Sequence, residues 1–75
     1  MTQIDAQKTI FQLVKETPQI IEILTSLGFY DITNPAILHT VGKVMTIKKA
    51  IKMKKQDKNK FINVFSNFGY DLINL

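Results

Sequence analysis

The 75-residue sequence contains no cysteine, no arginine and one histidine, His39. Without cysteine there is no disulfide framework, no thiolate metal site, no thiolate-held iron–sulfur cluster and no cysteine nucleophile. A single histidine excludes a histidine-based metal cluster. Three glycines and two prolines, beside 45% hydrophobic and 21% charged residues, exclude collagen, a flexible linker and a disordered tail. The glycines stand singly, so no glycine-rich loop is available to cradle phosphate. No apolar run approaches the roughly 18 residues of a membrane span. The first nine residues are mostly polar, where a secretory signal needs an unbroken apolar stretch. The expectation is one small cytoplasmic domain, with a core made marginal by its size.

Apolar residues recur at helical spacing along most of the chain. The spacing predicts a first helix over residues 9–16, capped by Thr9, with Ile10, Leu13 and Val14 on one face. Thr17-Pro18 reads as the cap and first position of a second helix, carrying Ile20, Ile21, Ile23, Leu24 and Leu27 and ending at Gly28. Asn34-Pro35 opens a short third helix with Ile37, Leu38 and Val41, closed by Gly42. Thr46 caps a fourth helix, with Ile47, Ala50 and Ile51 inward and Lys48, Lys52 and Lys55 outward. Asp57 caps a fifth, holding Phe61, Val64, Phe65 and Phe68 and ending at Gly69. No segment alternates with the period of a half-buried strand over a useful length. The tail from Tyr70 to Leu75 is expected to fold back onto the core. The predicted fold class is therefore all-α, a compact array of about five short helices in one domain. Each helix is too short to be stable alone in water, so tertiary packing must hold it.

The chain also carries an internal echo. Thr9-Ile10 opens a helix pair that ends Leu27-Gly28-Phe29-Tyr30-Asp31, and Thr46-Ile47 opens one that ends Phe68-Gly69-Tyr70-Asp71. Two packed hairpins around a central helix would explain it. So would the general similarity of any two capped hairpins.

Charge is unevenly placed. Residues 43–60 hold eight of the ten lysines and one acid, a local charge of +7, against −2 for residues 1–42. Such a face can meet nucleic acid or a membrane. Lack of arginine removes the bidentate phosphate and guanine contact, and no aromatic residue lies between 43 and 60 to stack on bases. The apolar face of the helix is too thin to lie in a membrane surface. A solvated face that keeps a small domain soluble explains the lysines as well.

Catalytic constellations are missing. Asp31 and Asp71 follow aromatic residues and could divide acid and base roles if the hairpins brought them together. Helix capping or loop hydrogen bonding explains them equally. His39 is expected at the edge of the core with one backbone partner. Phe29, Tyr30 and Tyr70 follow helix ends, where they can line a pocket, anchor an interface or make the contact that terminates a helix.

One series of residues carries a family likeness. It runs Leu13-Val14, Thr17-Pro18, Ile23-Leu24, Leu27-Gly28-Phe29, Asn34-Pro35, Thr40-Val41-Gly42-Lys43, Thr46-Ile47 and Ala50. This resembles the bacterial DUF1858 family, and also the N-terminal domain of the di-iron proteins that repair iron–sulfur clusters. The resemblance implies a compact all-helical domain, found alone or attached to sensor, hemerythrin-like or redox proteins. One branch carries Cys-x-x-Cys-Pro after the helix-ending glycine, at positions held here by Asp31 and Asn34 ahead of Pro35. The repair proteins carry adjacent cysteines, which would fall near Ile32 and Thr33. Both pairs are absent, so a thiol–disulfide or thiolate–metal role does not carry over, and the chain resembles a cysteine-free branch.

The leading expectation is a non-enzymatic module without a cofactor. It would bind a partner protein, or a neighbouring sensor or redox-linked domain, through the Phe29–Pro35 connector and adjacent apolar surface. The candidate surface comprises Phe29, Tyr30, Asp31, Asn34, Pro35, His39 and Met45. A second expectation is small-ligand sensing, with Phe29, Tyr30, His39 and Met45 around a pocket. A third, disfavoured above, is nucleic-acid binding through Lys48, Lys52 and Lys55. A monomer or weak homodimer is expected, with no membrane contact.

Overall fold

The structure is a computed structural model that describes residues 2–75. Five α-helices occur where apolar spacing places them: α1 (Ile10–Glu16), α2 (Ile20–Ser26), α3 (Pro35–Thr40), α4 (Ile47–Met53) and α5 (Lys58–Asn67). Two 3₁₀ turns, Asp31–Thr33 and Val41–Lys43, flank α3. Four of the five predicted caps form. Thr9 makes a capping box with Gln12: the Gln12 N–H donates to Thr9 Oγ1 at 3.2 Å, and the Thr9 N–H donates to Gln12 Oε1 at 3.1 Å. Asn34, Thr46 and Asp57 each accept one backbone N–H near the start of their helices. Thr17 does not cap α2: it is the last residue of the α1 end, its N–H donating to Leu13 O at 2.7 Å, and α2 starts only at Ile20. The second helix begins after a turn, with Gln19 at a cap position that lacks a side-chain bond.

The all-α expectation is overturned. Residues Thr2–Asp5 form a strand, β1, and Tyr70–Ile73 form a second, β2, paired in parallel from Thr2↔Tyr70 to Asp5↔Ile73. The Ala6 N–H extends the ladder, donating to Ile73 O at 2.9 Å. The fold is mostly helical with a two-stranded parallel sheet. The strands escape local pattern reading for two reasons. Each has four residues and one buried side chain, Ile4 or Leu72, so no alternation can accumulate. Their partners lie at opposite ends of the chain, and the helical body forms the long crossover that a parallel pair requires.

The core is one cluster running through every layer. Ile4 and Leu72 from the sheet meet Ile10, Leu13, Ile20, Ile23 and Leu24 from α1 and α2, and Ile47, Phe61 and Phe65 from α4 and α5. No polar or charged residue is buried among the described residues. Helix α2 ends in a Schellman arrangement. Gly28 stands at φ +96°, and the Phe29 N–H reaches back to Leu24 O at 3.0 Å. Helix α4 ends the same way, but the left-handed position is taken by Lys55 at φ +50°, with the Gln56 N–H on Ile51 O at 2.9 Å.

The two capped helices α1 and α4 start from a shared point. Thr9 and Thr46 form an isolated antiparallel bridge, and the Ile10 N–H donates to Met45 O at 2.8 Å. Measured from these caps, Ile10, Leu13 and Val14 of α1 correspond to Ile47, Ala50 and Ile51 of α4, and all six are buried.

Candidate functional site

An apolar cleft of about 320 Å³ lies between the segment after α2, the second 3₁₀ turn and α4. Buried Ile10, Ile32 and Ala50 form its floor. Tyr30, Val41 and Met53 line its rim and are 66%, 48% and 68% exposed. Val44 is the other large apolar residue exposed among the described residues, so three of four surround this one feature. Apolar surface held open around a concavity is the ordinary signature of an interaction site.

Local chemistry explains how the lining is held. The left-handed Gly28 turns the chain so that Phe29 packs edge-on against buried Phe61, with ring centroids 5.7 Å apart. The Lys54 ammonium lies 5.1 Å from the Phe29 ring centroid on the cleft side. Tyr30 precedes the first 3₁₀ turn, whose Thr33 N–H and hydroxyl both donate to Tyr30 O, at 3.1 and 2.7 Å. At Gly42, an added Cβ would lie 3.1 Å from Leu38 Cδ1, so the missing side chain lets the second 3₁₀ turn pack tightly on α3.

Four of the seven expected surface residues line this cleft: Phe29, Tyr30, Asp31 and Met45. The other three do not. Asn34 and Pro35 are the cap and first residue of α3, with Asn34 Oδ1 committed to the Ala36 N–H. His39 is exposed on α3, away from the cleft lining, rather than at the core edge. It has the expected backbone partner, with Nδ1 2.7 Å from Pro35 O. A carbonyl only accepts, so Nδ1 carries the hydrogen in this contact. The His39 ring meets Phe11 in a T-shaped contact at 5.1 Å, and the Lys43 ammonium lies 5.1 Å from the same Phe11 ring centroid. Of the four side chains expected around a pocket, Phe29, Tyr30 and Met45 line the cleft and His39 does not.

Sequence reasoning missed Val41, Met53, Lys54 and Ala50 as lining residues. One signal for Met53 was available. It follows Ala50 by three residues, which brings them to adjoining positions on α4, and a methionine outside the core face needs a reason.

The lysine strip needs a correction. Lys48 and Lys52 border a second, more open depression with Gln7, Thr46 and Lys49. At about 100° per residue both sit on the far side of α4 from Ala50. Lys55 is not on that face, because α4 ends at Met53 and Lys55 occupies the left-handed turn. Asp31 and Asp71 also have different settings: Asp31 lines the cleft, whereas Asp71 pairs with Gln3 in the sheet.

Elsewhere, Asp5 is held below the usual carboxylate range. The main cause is the Gln7 N–H, which donates to Asp5 Oδ1 at 2.9 Å, followed by a hydrogen bond from the Asn74 side chain. No group of three or more His, Cys, Asp or Glu side chains converges as a metal site among the described residues. No helix there is long and apolar enough to cross a membrane.

The fold and cleft define a small, mostly helical domain whose concave feature is apolar and rimmed by exposed side chains. By sequence the chain belongs to a family described as "Domain of unknown function (DUF1858)", which matches residues 4–62. It is also similar to the crystal structure of the conserved domain protein from Streptococcus pneumoniae TIGR4, at 29% identity and a TM-score of 0.91. That likeness covers 100% of this chain and 95% of the other, and so takes in the residues 63–75 that the family match leaves out. No curated protein matches the chain.

Proposed function

We propose that this chain is a non-enzymatic docking module of the bacterial cytoplasm, which binds a partner protein at the cleft beside the Phe29–Ile32 segment. The observation that supports this reading is the clustering of exposed Tyr30, Val41 and Met53 around a concavity with a buried apolar floor. Solvated apolar surface opposes solubility, and covering it with a partner's apolar side chains releases that opposition. A neighbouring sensor or redox-linked domain, encoded beside the chain or fused to relatives of it, is the partner class we favour. Titrating such domains into isotope-labelled protein tests this. The amides of residues 28–32, 41–45 and 53 should shift first, and silence there while another surface responds would exclude the cleft.

A second reading is small-ligand binding in the same place. At about 320 Å³ the cleft reaches the lower end of the range that drug-sized ligands occupy. Its exposed rim favours a macromolecule, because a small ligand seated there would keep much of its surface in water.

A further inference from the structure

With three methionines and no cysteine, the chain offers an oxidant thioether sulfur and no thiol. The two methionines among the described residues, Met45 and Met53, both line the apolar cleft. They differ in access. Met53, the last residue of α4, stands on the rim with Tyr30 and Val41 and is 68% exposed. Met45 is half-buried and packs against the core, and its carbonyl accepts the Ile10 N–H at 2.8 Å.

An exposed thioether reacts with peroxides by oxygen transfer. The sulfur attacks the terminal peroxide oxygen, the S–O bond forms as the O–O bond breaks, and water leaves. Sulfur gives up two electrons and the peroxide takes them, and a flexible apolar side chain becomes a polar sulfoxide. At Met53 this requires no opening of the fold, because the side chain already stands in solvent. At Met45 the oxygen would have to enter a packed position. Three of the lining side chains are large, apolar and exposed, Tyr30, Val41 and Met53, so a single oxygen changes the polarity of one in three.

Resting on the docking reading above, we infer that Met53 is a reversible oxidation site, where a peroxide-class oxidant turns the cleft rim from apolar to polar and weakens what the cleft binds. Methionine sulfoxide reductases restore the thioether, removing the oxygen as water while two thiols of the reductase system close to a disulfide. The site gains its selectivity from position: Met53 is reachable in the folded protein, and it borders the one concavity whose contacts are apolar.

The test treats protein labelled on its methionine methyl groups with dilute hydrogen peroxide, the resonances being assigned through Met45→Leu and Met53→Leu. The Met53 methyl should move to its sulfoxide position several-fold faster than the Met45 methyl, while the amide spectrum remains that of the folded protein. Equal rates, or Met45 first, overturn the inference. The apolar probe is the dye anilinonaphthalene sulfonate, its seat read from the amides of residues 28–32 and 41–45. Oxidation should weaken its affinity by about tenfold, the effect of losing one apolar side-chain contact, and the reductases should restore it. Met53→Leu should bind the dye like the parent and resist peroxide. Met53→Gln, polar and uncharged like the sulfoxide, should bind weakly without any oxidant. Affinity that survives oxidation of Met53, or that falls equally in Met53→Leu, overturns the inference, as does a dye that leaves the cleft amides of the unoxidised parent unmoved. Titration of neighbouring domains into the reduced protein decides the docking reading separately. A domain bound at the cleft with equal affinity before and after oxidation would keep that reading and remove the switch.

Discussion

The end of the molecule that joins β1 to β2 and the end that carries the cleft start from comparable materials. Each involves a capped seven-residue helix, a second helix ended by a left-handed glycine, and a segment of aromatic and acidic residues after that glycine. At the first end the segment after Gly69 becomes β2 and is closed by β1, with Ile4 and Leu72 in the core. At the second, the segment after Gly28 turns into a 3₁₀ helix, and exposed apolar side chains ring a cleft beside it. The contrast teaches that the open end is the one whose segment finds no strand partner. That difference requires no unusual residues.

The largest effects are expected at Leu13 of α1 and Ala50 of α4, each four residues after its cap. Leu13→Ala should lower the unfolding free energy by about 2–5 kcal/mol, because a filled core cannot collapse onto the void. Ala50→Leu should cost less, about 1–3 kcal/mol, because Ala50 is buried beside the cleft and the added carbons must displace its neighbours. Urea denaturation measures both, and a larger cost at Ala50 than at Leu13 would contradict this order.

Next come the caps and turns. Thr9→Ala removes the hydroxyl that accepts the Gln12 N–H and donates to Gln12 Oε1, whereas Thr46→Ala removes the single bond accepted from the Lys49 N–H. Losses of about 1 kcal/mol are expected, with the larger at Thr9. Thermal melts in which Thr46 mattered more would contradict the hydrogen-bond pattern. At the left-handed turns, Gly28→Ala should destabilise by about 1–2 kcal/mol although nothing crowds its missing side chain. Lys55→Gly should stabilise by up to about 1 kcal/mol, by relieving a side chain at φ +50°. A loss of stability in Lys55→Gly would mean that the lysine contributes more at that turn than its backbone conformation costs.

The smallest effect concerns the sheet end alone. Folding depresses the Asp5 pKa, so its hydrogen bonds stabilise the fold above the ordinary carboxylate range. That contribution fades as pH falls below the ordinary value toward the depressed one. Asp5→Asn should therefore melt earlier than the parent at neutral pH, and the two curves should converge in acid. A gap that stayed constant across this window would remove Asp5 as its source.

Much of the helical frame was legible because helix signals are local. Thr9, Asn34, Thr46 and Asp57 announce four helix starts, and Gly28 and Gly69 two ends, through chemistry that acts within a few residues. Thr17 misled for the same reason: its type suits a cap, but it ends α1 and a turn separates it from α2. Four of the thirteen residues lining the candidate site were readable. Phe29, Tyr30, Asp31 and Met45 were placed at it by their position after a helix end or beside a cap, while His39 was turned outward by α3 onto Phe11.

By itself the sequence determined the helices, their caps, the glycine turns, the absence of thiol chemistry and the basic segment at residues 43–60. These depend on neighbouring residues and side-chain type. The parallel pairing of residues 2–5 with 70–73 and the cleft floored by Ile10 and Ala50 were decided only by tertiary structure. Both join residues far apart in the chain. A strand of four residues has no period to read, and an alanine shows whether it fills a core or opens a cleft only when its distant neighbours arrive.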